Sequence, residues 1–569
     1  MIEKKWVDTP FDTESAAALA RALKVDDIYA RLLVQRGIVS FEEARRFFLP
    51  DALHLHDPRL MKDLERAAAR IDEARSRAEQ VLVYGDYDVD GTTSVALMHD
   101  FLSDHGVRTG YYIPDRHLEG YGLSMKGIAH AAAGGYTLLV ALDCGISASR
   151  QVARARELGI DVIICDHHLP DAGRFPDAYA VVNPKQAECD YPFKELTGCG
   201  IGYKLVSVLR ETWGLEPGVL TPYLQLTALS TVADIVPMTG ENRVLTQMGL
   251  DAMEREPIAG LRALLAVSRE GKEKTGCLST EDLTYLIAPR INAAGRMGEA
   301  LDAVRLLMEK DEARALEIAL RLHGSNLRRR QLDQDMTAEA LEMMRHDETS
   351  RYATVVYNPE WHKGVIGIVA ARLLETCYRP TIVLTRSGDV VTGSARSVKG
   401  FNIAEALSEC GDLLENYGGH YFAAGMTLKE QHLEAFRSRF DQLASRVVNQ
   451  ELAPEISVDA PLSLADIRPS LYNTLKRFRP FGPGNPEPVF VARGLTDTGA
   501  SRLVASDHIR FEVTSQGSAS ITGIGFKMAD KFPLVASRKP FDACFHLSEN
   551  YWRGRRSLQL RVLDIRASR

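Results

Sequence analysis

Val81-Leu82-Val83-Tyr84-Gly85-Asp86-Tyr87-Asp88-Val89-Asp90-Gly91 is the stretch on which the fold turns: an apolar run of strand length empties into three acids at alternate positions. A short run that is apolar at every position, rather than at every second one, fits a strand covered on both faces, as in parallel sheets flanked by helices. The pattern recurs downstream. Leu138–Leu142 runs into Asp143-Cys144-Gly145, Val162–Cys165 runs into Asp166-His167-His168, and Ala180–Val182 follows. Helix-like stretches separate these strands, so residues 75 to 255 read as a doubly wound parallel sheet in an α/β fold.

Such sheets bind ligands beyond the carboxyl ends of their strands, so acids placed just after apolar runs converge in one crevice. Asp86, Asp88, Asp90, Asp143 and the Asp166-His167-His168 triplet satisfy that rule, and Asp234, in Ala233-Asp234-Ile235-Val236-Pro237, follows an apolar helical stretch. Carboxylates gathered this closely repel one another unless protonated or neutralised, and hard divalent cations take oxygen ligands with some imidazole. A single strand-end Asp often does no more than cap the next helix. The whole set, with two adjacent histidines, is accounted for by a site for two divalent cations, Mn²⁺ or Mg²⁺.

With these four motifs in this order the chain resembles the DHH phosphoesterases, the Asp166-His167-His168 triplet being the one that names them. Two further runs resemble the RecJ exonuclease branch: Ile113-Pro114-Asp115-Arg116 leading to Glu119-Gly120-Tyr121-Gly122, and Pro289-Arg290-Ile291-Asn292-Ala293-Ala294-Gly295-Arg296. A DHH-associated domain is matched by Trp361-His362-Lys363-Gly364, Gly393-Ser394-Ala395-Arg396 and Gly418-Gly419-His420. The resemblance spans residues 40 to 569 and implies a metal-dependent exonuclease that degrades single-stranded DNA 5′ to 3′ in repair and recombination. It implies Asp86, Asp88, Asp90, Asp143, His167 and Asp234 as metal ligands, with Asp143 bridging, and His168 as a contact to the scissile phosphate. Where many other DHH phosphoesterases carry a His at the start of the first motif, this chain carries Asp86, which leaves open which of Asp86, Asp88 and Asp90 touch metal. It also implies partners, a single-strand-binding protein and a repair helicase. A competing substrate class is short oligonucleotides, cyclic dinucleotides or polyphosphate; a competing role is a nucleic-acid-binding subunit that has lost its metals.

Outside the acids, the residues suited to substrate are cations and rings. Arg116, in a Gly-rich loop after a strand, can take phosphate, and Arg290 and Arg296 flank a small-residue turn, Asn292–Gly295, whose backbone can approach a strand closely. Ser394 and Arg396, in a run that Gly393 lets turn tightly, offer a hydroxyl and a bidentate fork to a terminal 5′-phosphate, and His420 belongs to the same matched set. Tyr551-Trp552-Arg553-Gly554-Arg555-Arg556 interleaves rings and cations as a single-strand binder requires. Arg328-Arg329-Arg330 reads as a solvated helix face.

The remaining organisation follows from punctuation and period. Residues 1–50 are a helical segment, with Ser40-Phe41-Glu42-Glu43 in the order of a capped helix start. The sheet domain occupies 51–255, a connector of long helices interrupted at Gly324 occupies 256–347, and a second, smaller α/β domain occupies 348–455. Three prolines and two glycines in Phe481–Pro488 lie within the last segment, 456–569, whose alternating short strands suggest a small OB-like antiparallel barrel. An apolar fraction of 45% with 25% charged residues excludes disorder and fibrous folds. No apolar run long enough for a membrane span or signal peptide occurs, so a cytoplasmic monomer is expected. The 8 scattered cysteines form no Cys-x-x-Cys pair, which excludes a zinc ribbon or disulfide framework. A net charge of −7 does not decide against a nucleic-acid substrate, since bound cations invert the local sign at the site and basic residues elsewhere can still form a track.

Overall fold

The computed structural model describes residues 3–116, 118–171, 173–269, 277–346, 351–448, 453–515, 518–552 and 555–568. The first sheet has five parallel strands in the spatial order Arg108–Tyr112, Gln80–Gly85, Leu138–Leu142, Asp161–Cys165, Ala180–Val182. Successive residues of each inner strand feed different cores: Val81, Val83, Leu138 and Val140 pack on one face, Leu82, Tyr84, Leu139 and Ala141 on the other. That double burial is why these strands are apolar at every position. Gln80–Gly85, the first strand of this sheet in chain order, lies between the second and the third, so the strand order reverses there, and Asp86 and Asp143 stand at the two sides of that switch point.

The strand expected ahead of Arg116 is Arg108–Tyr112, at the sheet edge, where its mixed composition matches its half-exposed position. Two local expectations are corrected in the connector. Helix Glu312–His346 runs through Gly324 unbroken, its packing outweighing the roughly 1 kcal/mol that a helical glycine costs. Asn292–Gly295 is no turn but part of helix Ala288–Met297. The close approach expected of it is nevertheless present, since a Cβ on Gly295 would stand 2.4 Å from the Tyr87 carbonyl oxygen. The core beneath the sheet runs from Met61 to Leu322, so these helices press directly on the loop that carries the first acids.

The second α/β unit is a five-stranded sheet ordered Asn416–Gly419, Ala423–Leu428, Val390–Arg396, Thr381–Ser387, Thr354–Tyr357, with helix Ile366–Cys377 against it. Gly393 lies in an extended strand, not a turn: a Cβ there would strike Met426 Sδ at 2.4 Å, so glycine is required by packing. In the terminal region Phe490–Asp497 pairs with both Phe541–Trp552 and His508–Thr514, closing a sheet into a ring as an OB-like fold does. The amino-terminal helices are not a separate appendage. Leu19, Ala30, Leu32 and Leu33 share a core with Phe490, Phe511 and Phe541, and strand Lys5–Asp8 pairs in parallel with Glu455–Val458. The capping box read at Ser40 and Glu43 is formed.

Candidate metal centre and anion cleft

The acids reach one point because each is fixed by a different local device. Asp88 caps helix Val89–Asp104, accepting from the Gly91 N–H at 3.0 Å. Asp90, in the first turn of that helix, accepts from the Gly198 and Cys199 N–H groups at 2.7 and 2.8 Å and from Ser230 Oγ at 2.7 Å. Its carboxylate therefore sits on the amino end of helix Gly198–Thr212, where backbone donors and the helix dipole favour negative charge. Asp143 holds a left-handed backbone (φ 58°) with its N–H donated to Cys165 O at 2.9 Å. Gly198 makes room for it, because any Cβ there would lie 2.6 Å from Asp143 Cβ. Asp234 terminates helix Thr221–Ala233.

His167 Nε2 stands 3.2 Å from Asp143 Oδ1, 3.6 Å from Asp234 Oδ2 and 3.8 Å from Asp90 Oδ2. Both of its ring nitrogens and both Asp86 oxygens are buried without a hydrogen-bond partner. Leaving such groups unsatisfied costs about 1–3 kcal/mol each, more for charged ones. Burial, then the charge of Asp88, pushes Asp86 up to about 8; burial, then Asp90 and Asp88, does the same to Asp234. Asp143 is raised well above the usual carboxylate range by burial and by Asp90, Asp88 and Asp234. Burial lowers His167. Orphaned donors, mutually repelling carboxylates and an imidazole form a ligand set of the kind that hard divalent cations such as Mn²⁺ and Mg²⁺ satisfy. Asp90, His167 and Asp234 form one group spaced for an ion, and Asp143, His167 and His168 another.

The two histidines differ in what else they hold. His168 Nδ1 lies 2.7 Å from Asp166 Oδ1, its backbone N–H donates to the same oxygen at 3.1 Å, and its side chain is 41% exposed. Although burial opposes it, the bond to Asp166 raises His168, favouring its protonated form. Asp166 in turn is held below the usual range against its own burial by His168 and by the Ile146 N–H. Asp166 thus orients its neighbour, a role the motif signalled only by including an acid.

Arg116, Arg296 and Arg396 are brought together from the sheet domain, the connector and the second sheet. Arg116 lies over the Tyr87 ring at 4.8 Å. Arg296 is lowered to about 10 by burial and by the charges of Arg116, Arg329 and Arg396. Arg329, expected on a solvated face, belongs to this cluster and is half-buried beside Asp333. Nothing in its sequence marked it out from Arg328 and Arg330. Arg396 Nη1 bonds Ser394 Oγ at 3.1 Å, and next to the pair Gly418, Gly425 and Ser394 lie in one cross-strand row. Gly418 and Gly425 are exposed; a Cβ would meet nothing within 4 Å at Gly418 and only the Gly393 carbonyl oxygen, at 3.9 Å, at Gly425, so that row presents bare backbone. Arg290 instead turns into the connector, donating to Leu286 O at 2.6 Å and His323 Nδ1 at 3.2 Å. His420 is exposed at the end of the edge strand. Tyr551 is 43% exposed at a hairpin end on the terminal domain, with Arg556 over its ring at 5.2 Å. Arg553 and the side chain of Trp552 lie outside the described residues.

A doubly wound sheet with acids at its switch point, joined by arginines clustered from the sheet domain, the connector and a second small sheet, defines a metal-dependent phosphoesterase of the DHH type. Residues 80–231 match the DHH family amino-terminal domain, 350–446 the DHHA1 domain and 458–564 the RecJ OB domain. The single-stranded-DNA-specific exonuclease RecJ of Bacillus subtilis is 36% identical over 99% of this chain and 71% of its own length. Crystal structures of Thermus thermophilus RecJ with Mn²⁺ and with Mg²⁺ superpose with TM-scores of 0.85 and 0.79, at 30% and 29% identity, over 100% of this chain and 80% and 79% of theirs. The chain belongs to the RecJ family.

Proposed function

We propose that the chain hydrolyses phosphodiester bonds of single-stranded DNA, releasing nucleotides from the 5′ end with the help of two divalent cations. The observation that carries this reading is the pairing of a buried, unsatisfied acid and imidazole cluster with arginines converging from three parts of the chain. Asp86, Asp88, Asp90, Asp143, His167 and Asp234 would hold the ions. Bound cations in such a site lower the pKa of water and offset charge on the phosphoryl group.

The protein's own part is positioning. Asp166 fixes the His168 ring through Nδ1, and Nε2, 3.3 Å from the Tyr121 hydroxyl, would donate to a phosphate oxygen. Arg116 and Arg296 neutralise the strand's backbone, and Arg396 with Ser394 takes the terminal 5′-phosphate against the bare row of Gly418 and Gly425. Repulsion among these arginines in the absence of an anion is relieved when phosphate enters. The Tyr551–Arg556 hairpin would track the strand beyond the cleft. No helix among the described residues is long and apolar enough to cross a membrane. A cytoplasmic monomer that works with a single-strand-binding protein and a repair helicase belongs to the same proposal. Chelated protein supplied with Mn²⁺ should digest a long single strand and spare both duplex and dinucleotides. Preference for dinucleotides would replace this reading with that of an oligonucleotide phosphodiesterase.

A further inference from the structure

The two strands that carry Gly418 and Gly425, Asn416–Gly419 and Ala423–Leu428, meet at a hairpin tip, Tyr421-Phe422, to which the proposed function gives no part. The tip is tight: His420 N–H donates to Ala423 O at 2.8 Å. Tyr421 is 40% and Phe422 54% exposed, and their rings meet edge to face at 4.6 Å. Two large rings held in water by a short turn are costly to leave bare unless something covers them. They are also fixed in place. The Tyr421 hydroxyl accepts from the Gly400 N–H at 3.1 Å, and Phe422 O accepts from the Ser397 N–H at 2.9 Å. Ser397 follows Arg396, and Ala423, next to Phe422, is the cross-strand partner of Arg396. The rings are thus tied to the backbone that carries the proposed 5′-phosphate contact.

We propose that Tyr421 and Phe422 form a stacking platform for unpaired nucleobases at the 5′ end of the strand. The proposal rests on the single-stranded-DNA reading above and adds the ligand chemistry, the π-face of a base, to what is otherwise a phosphate site. Rings stack on any base without sequence preference, which suits an enzyme that must accept every 5′ terminus.

The test removes the base instead of only the ring. Strands whose first three nucleotides are abasic are compared with intact strands, by binding anisotropy in EDTA and by kcat/KM in Mn²⁺. The wild-type protein should bind and cleave the abasic-ended strand at least about tenfold less well, the loss expected from even one base stack at about 1–3 kcal/mol. The Tyr421→Ala, Phe422→Ala double variant should lose affinity for the intact strand and show no further loss on the abasic one. Tyr421→Phe, which keeps the ring and gives up the bond from Gly400, should keep the wild-type difference. The proposal is overturned if the double variant discriminates abasic ends as the wild type does, or if it binds the intact strand with wild-type affinity. Either result with cleavage of single strands intact would leave the exonuclease reading standing, whereas failure of wild-type protein to cut single strands would remove both.

Discussion

Gly198→Ala, a substitution that adds one methyl group in a helix, should disable the centre. The added carbon would stand 2.6 Å from Asp143 Cβ, 2.7 Å from its Cα and 2.9 Å from its nitrogen. Carbon atoms rest at about 3.5–4.0 Å, so one backbone must retreat by about 1 Å. Alanine is otherwise preferred to glycine inside a helix by about 1 kcal/mol, and propensity alone forecasts a more stable protein. Overpacking costs about 1–3 kcal/mol, while a displacement of about 1 Å in a catalytic arrangement costs on the order of 100-fold in rate. The Gly198 N–H also bonds Asp90, so the shift is passed to a second acid. We expect Gly198→Ala to fold by circular dichroism, to melt no higher than wild type, to bind Mn²⁺ more weakly by calorimetry and to lose about two orders of magnitude in kcat. Gly324→Ala, with open space around its Cβ position, is the control and should gain stability with full activity. A Gly198→Ala protein that melts higher and turns over normally would refute the packing argument.

Asp143→Ala should lower cleavage by several orders of magnitude with the fold retained, checked by turnover at saturating Mn²⁺ beside a melting curve. His167→Ala should weaken metal binding by calorimetry, whereas His168→Ala should bind metal almost normally and turn over slowly; equal metal loss in both would reverse their roles. Arg396→Ala should lose about 1.5–3 kcal/mol of preference for a 5′-phosphorylated over a 5′-hydroxyl strand, read from competition kinetics, with metal binding intact. Asp86 and Asp234, raised to about 8 in the folded protein, remain protonated at pH values where the unfolded chain has released those protons, so metal-free stability should fall as pH rises from about 4 to about 8. Mn²⁺, which binds the ionised carboxylates, should be held more tightly over the same rise; melting curves against pH with and without Mn²⁺ should therefore slope differently, and parallel curves would contradict the assignment.

The acids were legible because strand-end placement is a local property: Asp86, Asp143 and His167 each follow an apolar run, and the sheet does the converging. The inner strands were legible for the same reason, being buried on both faces. The strand ahead of Arg116 was legible without its bounds, since an edge strand such as Arg108–Tyr112 carries no continuous apolar run. Arg329 and the turn away from the cleft at Arg290 were invisible because both depend on how one helix is rotated against its neighbours, where a difference of one residue swings a side chain by 100°. The union of the amino-terminal helices with the terminal sheet joins segments more than 400 residues apart and leaves no local trace.

The central claim, hydrolysis from the 5′ end of single strands, is tested most directly by one digestion. A 5′-phosphorylated single strand is labelled at one end or the other, treated with chelated protein plus Mn²⁺, and resolved by size over time. A 5′ label should appear at once as mononucleotide, while a 3′ label should pass through a ladder of shortening strands, with duplex untouched and no cleavage before metal is added. Immediate release of the 3′ label, or internal cuts that leave both labels on long fragments, would contradict it.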